Sequence, residues 1–377
     1  MTTFNILGEY MQRLKSFVKA NIVMLIAALA ALVTSIIVPP DKEYLGYFDF
    51  KTLACLFSVL AVVCALRNIR FFYTLAKAII RRFRNAKICI LALVYITFIG
   101  SMLIANDMAL LTFLPLGYFI LHTTGKEKYM AFTFIMQNIA ANLGGMLTPF
   151  GNPQNLYLYT KFNIPDIEFI SIMLIPFIVS IVLITVFCLI FVKSEPLEIE
   201  ERAAALPPMR TLAYLVLFAI SILIVFKVLP YPAGLLIIVV SLLFLDRLAL
   251  CQVDYGLLLT FAFFFIFSGN MARIGVVRDF MSMLLEKNAL VFSALSCQFI
   301  SNVPSAILLS QFTENYRHLL LGVNIGGVGT MISSLASLIT FREYSKQSPG
   351  HTALYVLKFS IFNFIFLGIL ILVCSLI

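Results

Sequence analysis

Nine stretches of this chain are apolar over lengths that match the hydrocarbon thickness of a bilayer, and that feature alone removes most soluble folds. They run over roughly residues 20–38, 50–67, 129–158, 166–192, 211–229, 232–249, 254–272, 316–341 and 352–377. A crossing helix needs about 20 apolar residues, and backbone in lipid must satisfy its own hydrogen bonds, so such runs fold as helices. With 62% hydrophobic and 12% charged residues in 377, little chain is left for a soluble domain. No GxxxxGK[ST] phosphate loop occurs, so a nucleotide-driven pump has no support. A net charge of +9 would point to nucleic acid in a soluble protein. In a membrane chain it marks loops on the cytoplasmic side, and no nucleic-acid partner is expected. The seven cysteines are scattered through apolar runs without a CxxC or Cys/His cluster, so neither a disulfide framework nor a metal site is indicated.

Two further apolar segments, 88–122 and 288–313, are interrupted near their middles, by ANDMA and by SNVPS. They are predicted to be re-entrant helical hairpins that enter and leave on one side. The expected fold is therefore an all-α polytopic membrane protein with about nine full transmembrane helices, two re-entrant hairpins and two broken helices. Most basic residues, including Arg13, Lys15, Lys19 and the run from Arg67 to Lys87, then fall on one side. The positive-inside rule makes that side cytoplasmic. The amino terminus is expected inside and the carboxyl terminus outside, in a multi-pass protein of the cytoplasmic (inner) membrane. The amphipathic run RNIRFFYTLAKAIIRRFRNAK is expected to be an interfacial helix on anionic lipid.

The charged segment KSEPLEIEERAAALPPMR, residues 193–210, divides the chain into residues 1–192 and 211–377. Each half carries the same landmarks in the same order: DFKTL at 49 and DYGLL at 254, then ANDMALL at 105 and SNVPSAILL at 301. NLGGMLTPFGNPQNL at 142 aligns without a gap on NIGGVGTMISSLASL at 324. That register pairs Asn142 with Asn324 and Gly151-Asn152 with Ser333-Ser334. Counting crossings puts the copies in opposite orientations, an inverted repeat. The span at 211–229 lacks a counterpart unless amphipathic residues 4–19 replace it. Inverted repeats with interrupted helices are the sequence pointer to a secondary transporter, with its sites near the midplane where the breaks meet.

Asp107 is the only formally charged residue between Lys87 and Lys126. An intramembrane carboxylate is costly and is by default a functional-site candidate. With Asn106 it offers ligands for sodium, or it carries a proton; both residues also suit the cap of the second hairpin helix. In LTPFGNPQN, Pro149 and Pro153 remove backbone donors, and Gly151 and Asn152 permit turns, so the span at 129–158 breaks there. Asn152, Gln154 and Asn155 then place neutral amides at membrane depth, suited to a carboxylate or oxyanion. In the second half Ser301, Asn302 and Pro304 mark the other tip, with no carboxylate matching Asp107, so ion coupling is expected to be asymmetric. The three histidines form no HExxH and lie beside no serine, so an enzyme is not expected; a channel lined by the same breaks stays open at this stage.

At these motifs the sequence resembles the ion transporter superfamily, which includes citrate transporter-like permeases, divalent anion:sodium symporters, sodium/proton antiporters and arsenite efflux permeases. GGMLTPFGNPQN resembles that superfamily's glycine-rich break, and ANDMA and SNVPS sit where its hairpin tips lie. The resemblance implies elevator-like alternating access, a homodimer, and no cofactor beyond sodium or protons as coupling ion. It implies one cation site at Asn106, Asp107, Gly151 and Asn152, a second near Asn302 and Ser333, and an anion contacted by Asn106, Asn152, Pro153, Ser301, Asn302 and Ser334, to which the amide of Asn155 is added. The expected substrate is a small anion, a di- or tricarboxylate. Where sodium-dicarboxylate members carry Ser-Asn-Thr at both tips, this chain has Ala105-Asn106-Asp107 and Ser301-Asn302-Val303. The Asn-Asp pair is closer to the antiporter and arsenite branches, which keeps sodium/proton exchange or arsenite-type efflux as the alternative.

Overall fold

The computed structural model describes residue 18, residues 21–197 and residues 206–376. The described residues fold as helices, with one isolated bridge between Asn85 and Pro196. Seventeen α-helices follow one another: α1 Ile22–Ile37, α2 Phe50–Asn68, α3 Phe71–Ile80, α4 Ala86–Ile104, α5 Asn106–Thr123, α6 Met130–Gly144, α7 Pro153–Lys161, α8 Asp166–Phe191 and α9 Pro208–Val225, then α10 Tyr231–Leu245, α11 Arg247–Cys251, α12 Tyr255–Arg273, α13 Gly275–Ile300, α14 Asn302–Leu309, α15 Tyr316–Ile325, α16 Leu335–Gln347 and α17 Thr352–Cys374. Seven described helices are long and apolar enough to cross a bilayer. The chain is an all-α, multi-pass membrane protein.

Two of the expected crossings are shorter than their apolar runs. α1 has 16 residues and α10 has 15, roughly 24 and 23 Å at 1.5 Å per residue. α10 stops where Asp246 turns the chain. Its carboxylate accepts from Ala249 N at 3.1 Å to start α11, and from Asn68 Nδ2 at 2.9 Å to hold the turn on the end of α2. Residues 4–17 and 19, the expected amphipathic replacement for a span, and residues 198–205 of the linker lie outside the described residues.

Both interrupted segments fold back on themselves. In the first, α4 and α5 join at Ala105, which adopts φ 63° and ψ 152°; in the second, α13 and α14 join at Ser301, with φ 74° and ψ 160°. This region is costly for a residue with a side chain, by about 1–3 kcal/mol, and the same conformation recurs at both tips. α13 bends at Asn288, whose φ of −165° leaves the helix and whose Oδ1 caps Val291 N at 2.9 Å. The hairpin arm begins there, and residues 275–287 form a lead-in like α3 before the first hairpin.

Contacts between the halves come in reciprocal pairs. α1 packs on α12 as α10 packs on α2, and α5 packs on α16 as α14 packs on α7. Within the halves, α4 lies on α6 as α13 lies on α15. Glycine permits the first of these approaches: a Cβ on Gly144 would stand 2.2 Å from the carbonyl oxygen of Phe98.

The start of the linker is pinned to the base of the first hairpin. Glu195 accepts from Lys126 Nζ at 2.7 Å, Lys128 Nζ at 2.6 Å and Tyr129 OH at 2.9 Å, and these donors, Lys126 foremost, hold its carboxyl down at about 2. Its backbone oxygen accepts from Ala86 N at 2.8 Å.

Candidate functional site

Both hairpin tips and both breaks open onto one cavity of about 470 Å³. Asn106 and Asp107 come from the first tip, Ser301 and Asn302 from the second, Pro153 and Gln154 from the first break, and Ser334 from the second. The sequence therefore brings together, from positions up to 228 residues apart, most of the side chains it marked. Each sits there because a helix begins there. α5 starts at Asn106, α14 at Asn302, α7 at Pro153 and α16 at Leu335, and all four of these residues line the cavity. A helix N-terminus carries about half a positive unit charge and unpaired N–H groups, so four of them direct roughly two unit charges of positive potential at one space.

Local hydrogen bonds fix the tips and breaks. Asn106 Oδ1 accepts from Asp107 N at 2.9 Å, and Asn302 Oδ1 from Val303 N at 2.9 Å, the same bond in each half. Ser334 Oγ accepts from Ala336 N at 3.2 Å and caps α16. The second tip is tied to the second break by Asn302 N donating to Ser333 O at 2.9 Å. Ser333 Oγ donates to Gly327 O at 2.9 Å and Thr330 O at 2.8 Å, behind the cavity wall.

Asp107 does not act as the expected cap. It lies in the first turn of α5, Ala105 provides no side-chain cap bond, and Asp107 Oδ1 is buried without a hydrogen-bond partner. Asn152 Oδ1 and Gln154 Oε1 share that condition. Three buried acceptor oxygens thus stand unpaired around the first tip and the first break, where an unpaired buried acceptor costs about 1–3 kcal/mol. Asn152 approaches that closely because Gly145 has no side chain: a Cβ there would lie 2.4 Å from Asn152 Oδ1.

Gly151, Asn152, Asn155 and Ser333 are not in the cavity wall. Asn155 is fully buried and its amide is occupied: Nδ2 donates to Gly145 O, Met146 O and Thr148 O at 3.1 to 3.2 Å, and Oδ1 accepts from Asn324 Nδ2 at 2.6 Å. It holds the break in shape. Gly151 packs with its Cα against Gly145, leaving no room for a Cβ.

Sequence reasoning used Asn142 and Asn324 only as landmarks of the repeat. Asn142 Oδ1 accepts from Asn106 Nδ2 at 3.2 Å, and Asn324 Oδ1 accepts from Asn152 Nδ2 and Gln154 Nε2, both at 3.4 Å. Asn142 therefore ties the first tip to the helix that precedes the first break, and Asn324 ties the first break to the second half. Arg342, Asp254 and Thr260 also line the cavity. Asp254 is marked in the sequence only as the start of the repeat landmark DYGLL, and Arg342 only by its position beside an apolar run.

The sequence profile of the citrate transporter family matches residues 10–316. The chain belongs to the citrate transporter family. An uncharacterized transporter of Methanocaldococcus jannaschii is 33% identical over 302 residues, covering 80% of this chain and 82% of that protein. The inner membrane protein YbiR of Escherichia coli is 26% identical over 306 residues, again 80% of this chain and 82% of the relative. The family is one of transporters.

Proposed function

We propose that this citrate transporter family member is a secondary active transporter of a small carboxylate anion, a di- or tricarboxylate, driven by sodium or protons through Asp107. The observation that carries this reading is the meeting of four helix N-termini at one cavity whose edge holds unpaired acceptors. The N-termini favour an anion carrying more than one negative charge. The acceptors at Asp107, Asn152 and Gln154 favour a coupling cation beside it. Sodium takes the place of the missing donors directly; a proton on Asp107 does so by turning a carboxylate into a hydroxyl donor.

The anion is held by Asn106, Pro153, Ser301, Asn302 and Ser334, with Gln154 added by the geometry. The reciprocal packing of the two halves supports an elevator-like alternation, in which the hairpins and broken helices move as one body against α1, α2, α9, α10 and α12. The amino terminus is cytoplasmic in this reading, and the large cavity, which touches the start of α1 at Asn21, faces the cytoplasm of a bacterial-type inner membrane.

The test is uptake of radiolabelled citrate and succinate into proteoliposomes under an imposed sodium or proton gradient. Gradient-driven, saturable uptake that shows counterflow supports the reading. Exchange of protons for sodium with no anion present, and no carboxylate uptake, replaces it with sodium/proton antiport. Arsenite efflux is measured in the same vesicles.

A further inference from the structure

A second cavity, of about 390 Å³, shares no lining residue with the first. Its wall includes Asp49 before α2, Tyr157, Thr160 and Lys161 at the end of α7, and Gln311 beyond α14. The first cavity has the matching parts: Asp254 before α12 and Arg342 on α16. In each, a carboxylate caps the helix that follows it, Asp49 Oδ1 accepting from Thr52 N at 2.9 Å and Asp254 Oδ1 from Leu257 N at 2.9 Å. In each, a basic side chain sits on the half-helix that follows a break.

The two cavities differ in what shuts them off. α7 packs on α2, and α14 packs on α12, whereas the counterpart pairs α16 with α12 and α5 with α2 make at most marginal contact. Across the closed side, Tyr157 OH and Ser310 Oγ lie 2.9 Å apart, and the Tyr157 ring packs 5.6 Å from that of Phe265 and 6.4 Å from that of Phe261. Tyr157 and Phe265 of this aromatic seam are themselves part of the wall of the second cavity. The hairpin-tip residues Asn106, Asp107, Ser301 and Asn302 line the first cavity.

Lys161 makes no ion pair among the described residues; its ammonium lies 6.0 Å from the centre of the Tyr157 ring. Two carboxylates act on it through space, Glu314, which is not in the wall, and Asp49. Both oxygens of Asp49 are engaged by Thr52, at the positive end of α2. Lys161 is the basic side chain of this wall.

We propose that the second cavity is the anion-receiving vestibule of the opposite membrane face, closed in this conformation by the Tyr157 seam, and that Lys161 draws the anion into it. This rests on the alternating-access reading above.

The experiment uses sealed vesicles of the full chain with the exposed Cys251 changed to Ser. Single cysteines are placed in the second cavity by Gln311→Cys, with Thr160→Cys as the alternative position, and in the first by Leu338→Cys. They are reacted with membrane-impermeant thiol reagents of like size and opposite charge. The second-cavity and first-cavity positions are expected to react from opposite faces. The anionic-to-cationic rate ratio at Gln311→Cys is expected to fall several-fold with Lys161→Gln and to return with Lys161→Arg. Reaction of both cavities from one face, no reaction in the second cavity at either position, or a ratio unmoved by Lys161→Gln overturns the proposal. None of these readouts needs a transported substrate. Absence of citrate counterflow in the parent protein would therefore remove the carboxylate reading while the labelling still decides this one.

Discussion

Asn155→Ala separates a residue that holds the break from one that holds the substrate. The substitution removes the donor to Gly145 O, Met146 O and Thr148 O and the acceptor of Asn324 Nδ2. Thr148 O keeps a bond from Gly151 N, and Asn324 Nδ2 keeps its bond to Leu320 O. Two buried carbonyls are then left without their partner, and one interhelix bond is lost. At about 1–3 kcal/mol for each orphaned buried group and about 1 for the lost bond, the cost is roughly 3–7 kcal/mol. Unfolding entropy of about 2.1 cal/mol/K per residue makes each kcal/mol worth roughly 1.3 °C for a chain of this length melting as a unit. The midpoint of the ligand-free protein in detergent, followed by intrinsic tyrosine fluorescence or thiol-dye uptake, should fall by about 4–9 °C. Ser334→Ala, in the cavity wall, should move it far less and weaken citrate protection instead. If Asn155→Ala leaves the ligand-free midpoint in place and lowers only ligand affinity, the assignment of Asn155 to the scaffold of the break is wrong.

Three further outcomes follow from local geometry. Gly144→Ala forces a Cβ to within 2.2 Å of a backbone oxygen that cannot turn aside; α4 and α6 must part, at the upper end of the 1–3 kcal/mol usual for overpacking, and thermal stability of the purified protein should drop accordingly. Ala105→Gly should raise the melting midpoint, because it relieves a positive-φ conformation at the tip, less the extra entropy glycine gives the unfolded chain, for a net gain of about 1 kcal/mol; a lower midpoint would show that the tip is not strained. The Glu195 carboxyl is held at about 2 against an ordinary 4.5. A depressed pKa stabilises the clamp above the ordinary value, and the stabilisation is lost as pH falls through the folded one. Proteolysis near the linker should then be insensitive to Glu195 from pH 8 to about 5 and should increase only below that, whereas Glu195→Gln should increase it at pH 7.

Much of the site was legible because polar residues in apolar segments have few structural excuses. ANDMA and SNVPS located both tips, and the boundaries 88–122 and 288–313 match the bend at Asn288 and the start of α4 within a few residues. Pro149, Gly151 and Pro153 located the first break, since no continuous helix tolerates them. The apolar runs 20–38 and 232–249 misled on length, because hydropathy does not show where a carboxylate such as Asp246 ends a helix by capping the next. Asn155 looked like its neighbour Gln154, and nothing in a one-dimensional pattern says which amide lines the cavity and which faces three carbonyls. The roles of Asn142 and Asn324, and of Arg342 and Asp254 in the wall, depend on how the two halves cross, and that packing is set by side chains distant in sequence.

The most direct test of the account is Asp107→Asn in proteoliposomes. The neutral amide keeps the size of the side chain and removes the charge that the coupling cation answers. The account predicts a folded, citrate-binding protein that exchanges labelled citrate but no longer accumulates it against a gradient under either sodium or proton drive. Full gradient-driven accumulation by Asp107→Asn would contradict it.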